Sequence, residues 1–195
     1  MGPLLPLPQV LSAGYSPVTN HVLTKAGLLL QKLLNDKIAV IGGVAVAAWG
    51  TPRSTGDIDV IARAPLAELR DALKQAGVPC DIKLGDPEDA LPWVIHGALS
   101  PVGIKEPVKF QIIPAPRRVR LQGDVVTLPN GLRIIGFEDL ITLKCAAGGP
   151  QDIVDIARLS VARPETQARV REITKKFELD SRVFRYISEF GERDS

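Results

Sequence analysis

The residues Ile38-Ala39-Val40-Ile41 run straight into Gly42-Gly43 and then into Val44-Ala45-Val46-Ala47-Ala48-Trp49. The first four are short, apolar and mostly β-branched, and read as a buried strand. Val44 to Trp49 reads as a short helix, closed by Gly50 and Pro52. A strand that ends in two glycines and passes directly into a helix exposes backbone N–H groups at the positive helix end. That arrangement takes anions.

A pair of carboxylates follows. Asp57 and Asp59 flank Ile58, and Ile58 to Ala62 reads as the next strand. At an i, i+2 spacing both carboxylates leave one face of a strand, while Ile58 and Val60 point the other way into a core. Two like charges on one face repel unless something positive stands between them. A divalent cation answers that need. Mg²⁺ takes hard oxygen ligands, commonly one or two carboxylates plus substrate phosphates, and two such ions clamp an in-line nucleotidyl transfer. Arg53, Ser54 and Thr55 stand just before the pair, placed to donate to a triphosphate. A Gly-Gly after a strand is common, and so is a solvated Asp-x-Asp. Their order within Gly42 to Asp59 carries the signal.

The rest of the chain reads as layers around this segment. Residues 1 to 17 are Pro-rich and read as an irregular arm. Val18 to Asn35 is an amphipathic helix with a broad stripe at Val22, Leu23, Leu28, Leu29, Leu30, Leu33 and Leu34. Pro65 to Ala76 is a helix stopped by Gly77. Residues 78 to 104 contain Pro79, Pro87, Pro92 and Pro101 and carry no clear period. Val108 to Ile113 is a strand. Val125 to Leu128 and Leu132 to Ile135 form a hairpin around Asn130-Gly131. Phe137 to Ala147 is a helix opened by Glu138 and Asp139, and Gln151 to Val161 is another. The last thirty residues form one or two amphipathic helices. The expected class is α/β (α+β): a small mixed sheet with flanking helices over 18 to 136, and a helical C-terminal segment over 137 to 195 packed on it.

Composition narrows the function. Of 195 residues, 24 are basic and 22 acidic, for a net charge of +2, so no broad basic field for duplex nucleic acid is expected. Arg117, Arg118 and Arg120 form the one tight basic cluster and read as a solvated loop. Cys80 and Cys145 have no metal-type spacing and read as two buried thiols. The N-terminus lacks a basic region before its prolines, so it does not read as a secretion signal. No apolar run reaches the roughly 18 residues of a membrane span. A soluble cytoplasmic protein is expected. His21 and His96 have no partner at a catalytic spacing and read as surface or packing histidines. Trp49 and Trp93 read as core or rim aromatics.

The stretch Ile41-Gly42-Gly43-Val44-Ala45, then Gly50-Thr51-Pro52-Arg53-Ser54-Thr55-Gly56-Asp57-Ile58-Asp59-Val60, resembles the signature of the polymerase-beta-like nucleotidyltransferase superfamily. It is most similar to the small bacterial branch of minimal and toxin-type nucleotidyltransferases. A second patch agrees: Glu138-Asp139-Leu140-Ile141, Leu143-Lys144, and Ala147-Gly148-Gly149-Pro150-Gln151-Asp152 through Asp155. The likeness spans about residues 20 to 160. It implies transfer of a nucleoside monophosphate from an NTP, with Mg²⁺ or Mn²⁺, to a hydroxyl on an RNA end such as tRNA, a protein or a small molecule. It implies that Asp57 and Asp59 hold metal and serve catalysis, and that Gly42 and Gly43 approach the phosphates. Lys144 would contact phosphate or ribose; otherwise it is a solvated helix lysine. Asp152 and Asp155 match acidic positions of the second patch, or stabilise a helix start and face solvent.

The sequence also departs from that pattern. The family places a third carboxylate on a neighbouring strand, where it completes the metal site and acts as general base. The matching strand is Val108 to Ile113, and the matching position is Gln111. A glutamine amide is a weak oxygen ligand and cannot take a proton. Gly43 stands where the family usually carries serine, a mild change since many members of this branch carry Gly-Gly, and Gly149 stands where an arginine is often found. Three readings stay open: Asp81 or Glu106 supplies the carboxylate, the enzyme works with two, or the chain is a weakened nucleotide-binding or protein-interaction module, such as half of a toxin–antitoxin pair.

Overall fold

The computed structural model describes residues 17–51 and 53–191. The expected arm over residues 1 to 17 falls almost wholly outside them, as does Pro52.

The elements follow from local chemistry. Helix α1 (Pro17–Leu34) buries Leu23, Ala26, Leu30 and Leu34 along one stripe. It ends in a single turn of 3-10 helix with Asn35 at φ 53°. Strand β1 (Ile38–Val40) is buried throughout. Helix α2 (Gly42–Ala48) starts two residues earlier than the sequence suggests, because the glycines belong to its first turn. Strand β2 (Asp57–Ala62) alternates accessible Asp57 and Asp59 with buried Ile58 and Val60. Helix α3 (Leu66–Gln75) begins after Pro65 and buries Leu69 and Leu73.

The proline-rich stretch holds two strands, β3 (Cys80–Leu84) and β4 (Trp93–Leu99). Its prolines punctuate rather than interrupt: Pro79 and Pro92 stand just before the strands, and Pro101 follows them. Strands β5 (Val108–Ile113), β6 (Val125–Thr127) and β7 (Arg133–Ile135) come next. Then follow α4 (Phe137–Ala147), α5 (Pro150–Ala162), α6 (Gln167–Lys176) and α7 (Asp180–Gly191). Gly148, at φ 63°, closes α4 in the left-handed conformation that glycine accepts without steric cost.

The seven strands form one mixed sheet in the order β3-β4-β5-β2-β1-β7-β6. Parallel pairing joins β2 to β5 and β1 to β7; the other neighbours are antiparallel. Helices α1 and α3 pack together, with α1 against the central strands. Gln31 on α1 fixes the register of β7: its amide donates to the Arg133 carbonyl at 2.7 Å and accepts from the Arg133 N–H at 3.1 Å. The C-terminal helices stand over the other face, where Ile113 of β5 and Leu140 and Leu143 of α4 line one cavity of about 470 Å³. No helix among the described residues is long and apolar enough to cross a membrane.

Candidate active site

The two halves of the Gly-Gly and Asp-x-Asp segment meet at the centre of the sheet. Strand β1 runs antiparallel to β2, and the Ile41 N–H donates to the Asp59 carbonyl at 2.8 Å. That bond sets Gly42 directly over the Asp59 side chain. Gly42 has φ +61°, and a Cβ there would overlap Asp59 Oδ2 and lie 2.9 Å from Asp59 Cγ. Both its backbone conformation and its contact exclude any larger residue. Gly43 is held for a different reason. A Cβ on it would come within 2.8 Å of the Thr55 Cβ. The loop before β2 has closed onto the space a serine would need.

Asp57 is exposed and Asp59 half-buried. The Asp59 carboxyl is pushed above its ordinary value, first by burial and then by the charge of Asp57; Arg53 and Lys144 pull it partly back. The site therefore holds a carboxylate pair whose repulsion is only partly relieved. Its donors are hard oxygens on one strand face, with a glycine cradle above. That donor set fits a divalent cation that completes its shell with phosphate oxygens. It does not fit a cation held by protein alone. Among the described residues no three His, Cys, Asp or Glu side chains cluster as a metal-ligating group.

The register puts Gln111, the position where the resemblance leads one to expect a third carboxylate, beside the carboxylate pair. Asp59 pairs with Gln111 across the parallel β2–β5 ladder. Neither substitute closes the gap. Asp81 lies on β3, with β5 and β4 between it and β2, and Glu106 is exposed ahead of β5.

The predicted phosphate donors have other partners. Thr55 Oγ1 donates to Asp57 Oδ1 at 2.9 Å, and Ser54 is exposed. Arg53 Nη1 reaches Asp155 Oδ2 at 2.6 Å. Lys144 is not a solvated helix lysine: it is 5% exposed and pairs with Asp155 Oδ2 at 2.7 Å and Asp152 Oδ1 at 3.0 Å. Asp155 is 1% exposed and also accepts from Gln151 at 2.9 Å, so the solvated reading fails for it. Asp152, with a quarter of its side chain accessible, is paired as well. Sequence reasoning treated these as separate candidates. They form one ion-pair cluster that ties the loop before β2 to α4 and α5. Pairing across some hundred residues leaves no local signal.

One further reading changes, and two gain detail. The expectation of two buried thiols is wrong for Cys80, which is exposed on edge strand β3 where a side chain needs no cover; Cys145 is buried and both are free. The arginine cluster is exposed in a loop, as expected, and it also makes contacts. Arg117 donates to the carbonyls of Asp86 and Pro87, holding the β3–β4 loop, and Arg118 lines the cavity beside Gly42. Trp49 is a rim aromatic, edge-on to Phe137 at 5.5 Å, with its Nε1 donating to the Ile135 carbonyl at 3.1 Å.

Comparison with solved structures finds the same fold. The chain superimposes on a Helicobacter pylori crystal structure that carries a provisional nucleotidyltransferase assignment. The TM-score is 0.54 and the identity 18%, over 90% of this chain and 82% of that one. The solution structure of the antibiotic-resistance factor ANT(2'')-Ia matches with TM-score 0.49 and 14% identity, over 92% of this chain and 100% of that one. No family model and no curated protein sequence matches the chain.

Proposed function

We propose that this chain, which has the nucleotidyltransferase fold, transfers a nucleoside monophosphate from an NTP to a hydroxyl acceptor. The observation that carries the reading is the Gly42–Asp59 contact. A left-handed glycine stands over a carboxylate whose neighbour on the same strand face is a second carboxylate. A Mg²⁺ or Mn²⁺ ion held by Asp57 and Asp59 would offset the charge of the triphosphate oxygens. The apolar cavity bordered by Ile41, Gly42 and Lys144 supports a seat for the nucleoside. Lys144 and Arg53 stand close enough to act on the charge of Asp59, and so to favour phosphate beside it. The acceptor class stays open among an RNA end, a protein side chain and a small molecule.

The test is incubation with each labelled NTP, Mg²⁺ or Mn²⁺, and RNA, protein and small-molecule acceptors. Label transfer that disappears in Asp57→Ala and in Asp59→Ala supports the reading. Absence of both transfer and calorimetric NTP binding refutes it. Gln111 beside Asp59 favours a second reading, a nucleotide-binding or antitoxin-binding module with little turnover. Intact NTP binding without transfer to any acceptor would select it.

A further inference from the structure

Asp59, Gln111, His96 and Asp81 stand in one row across four strands. Asp59 is in register with Gln111, Gln111 with His96, and His96 with Asp81. Residues in register across a ladder send their side chains to the same face. The row therefore lies on the face that carries both carboxylates. The opposite face of the same strands is apolar and closed, with Ile58, Val60, Phe110, Ile112 and Ile95 all buried. On the open face Asp59, Gln111 and His96 are half-buried and Asp81 is exposed, so a ligand has access along the row.

Neighbouring strands lie about 4.8 Å apart. His96 is thus two spacings from Asp59, about 10 Å at the backbone. That is too far to share a ligand with Asp59 and suits a group acting on the far side of a reacting bond. On the nucleotidyl-transfer reading, the phosphate would lie over Asp59, the attacking oxygen over Gln111 and its proton beside His96. The Gln111 amide can orient that oxygen but cannot accept the proton. Neutral imidazole can, and is the side chain whose proton uptake falls in the neutral range.

We propose that His96 is the general base of this site, taking from the acceptor hydroxyl the proton that Gln111 cannot take. The proposal rests on the nucleotidyl-transfer reading above. The acceptor oxygen forms a bond to the α-phosphorus. The bond from that phosphorus to the oxygen bridging the β-phosphate breaks, and pyrophosphate leaves with the electron pair. The hydroxyl proton passes to an imidazole nitrogen of His96 and then to solvent. The charged groups on the face of His96 are Asp81 directly across on β3, Lys83 two residues further along β3, and Lys109 two residues from Gln111 along β5. Asp89, in the loop between β3 and β4, lines a recess with Val94. Asp81 carries the charge opposite to that of the imidazolium that forms.

The experiment measures pyrophosphate release from each of the four NTPs with Mg²⁺ or Mn²⁺, water serving as acceptor, between pH 5 and 9. If water is too poor an acceptor, the RNA, protein and small-molecule panel replaces it. The wild-type rate should rise with pH through one deprotonation. His96→Ala should lower the rate roughly 10²- to 10⁴-fold, lose that limb, and keep NTP binding by calorimetry. Added imidazole should restore part of the His96→Ala rate, a response a merely structural role would not give. His96→Gln, which keeps bulk and polarity, guards against loss by misfolding and should be as slow. A His96→Ala protein with wild-type rate and pH profile overturns the proposal. If Asp57→Ala abolishes release in that same case, the transfer reading survives without it. A wild type that transfers to no acceptor overturns both.

Discussion

Removing the Asp155 carboxylate tests the ion-pair cluster behind the site. Asp155 is 1% exposed and accepts from Lys144 at 2.7 Å, Arg53 at 2.6 Å and Gln151 at 2.9 Å. In Asp155→Ala, Arg53 can turn outward, because 28% of its side chain is already accessible. Lys144 cannot, with only 7% of its side chain accessible. Breaking a buried pair from one side costs about 3–5 kcal/mol, because the remaining charge stays desolvated. Lys144 keeps Asp152 at 3.0 Å, which places the expected loss near the lower end, about 3 kcal/mol. For a chain of this size that is a fall in Tm of about 6–12 °C. Urea unfolding measures it, and the loss should change little with salt, since buried pairs are poorly screened. Lys144→Met added to Asp155→Leu should recover most of the stability, because the charges left without those partners, Arg53 and Asp152, have 28% and 25% of their side chains accessible and can turn to solvent. A loss under about 1 kcal/mol in Asp155→Ala, or no recovery in the double variant, would refute the argument from desolvation.

Three other outcomes follow from the same geometry. Gly42→Ala forces a left-handed alanine, at roughly 1–2 kcal/mol, and drives its Cβ into Asp59; the melting temperature should fall and its rise on adding NTP and Mg²⁺ should vanish. Asp59→Asn should melt higher than the wild type at pH 7. Burial and Asp57 raise the native carboxyl above its ordinary 3.8, so ionising it costs stability as pH climbs from that value through the raised one. Melting curves from pH 3 to 7 should show that difference closing toward the acid end, and a constant gap would count against the reasoning. Cys145, buried and with its thiol pushed up to about 12 by burial and then by Asp152, should resist a thiol reagent at pH 8 while exposed Cys80 reacts. One thiol labelled in the native state and two in urea is the expected count, and two in the native state would overturn it.

The sequence was legible where period and punctuation act locally. The Ile38–Ile41 run, the Asp-x-Asp alternation and the Asn130-Gly131 hairpin were readable because each is decided by a few adjacent residues. Strands β3 and β4 were not, because β4 lacks alternation: Trp93-Val94-Ile95 and Gly97-Ala98-Leu99 are apolar or small on both faces. Edge strand β3 is mostly exposed and shows no buried stripe. The fate of Lys144 was illegible for a different reason. Its partners lie 8 and 11 residues on, and only the reversal of direction between α4 and α5 brings them to it.

The substitution at Gln111 shows how the same limit governs function. From the sequence the loss of a carboxylate points to a weakened enzyme, because the only evidence is what is absent from one strand. Pairing register changes the question from which residue replaces Gln111 to which residues share its row. His96 belongs to that row although it is 15 positions away in the chain, and Asp81 joins it from 30 positions away. A site on the open face of a sheet is defined across strands rather than along them. A missing group on one strand is therefore weak evidence against turnover when the next strand offers a side chain able to take a proton.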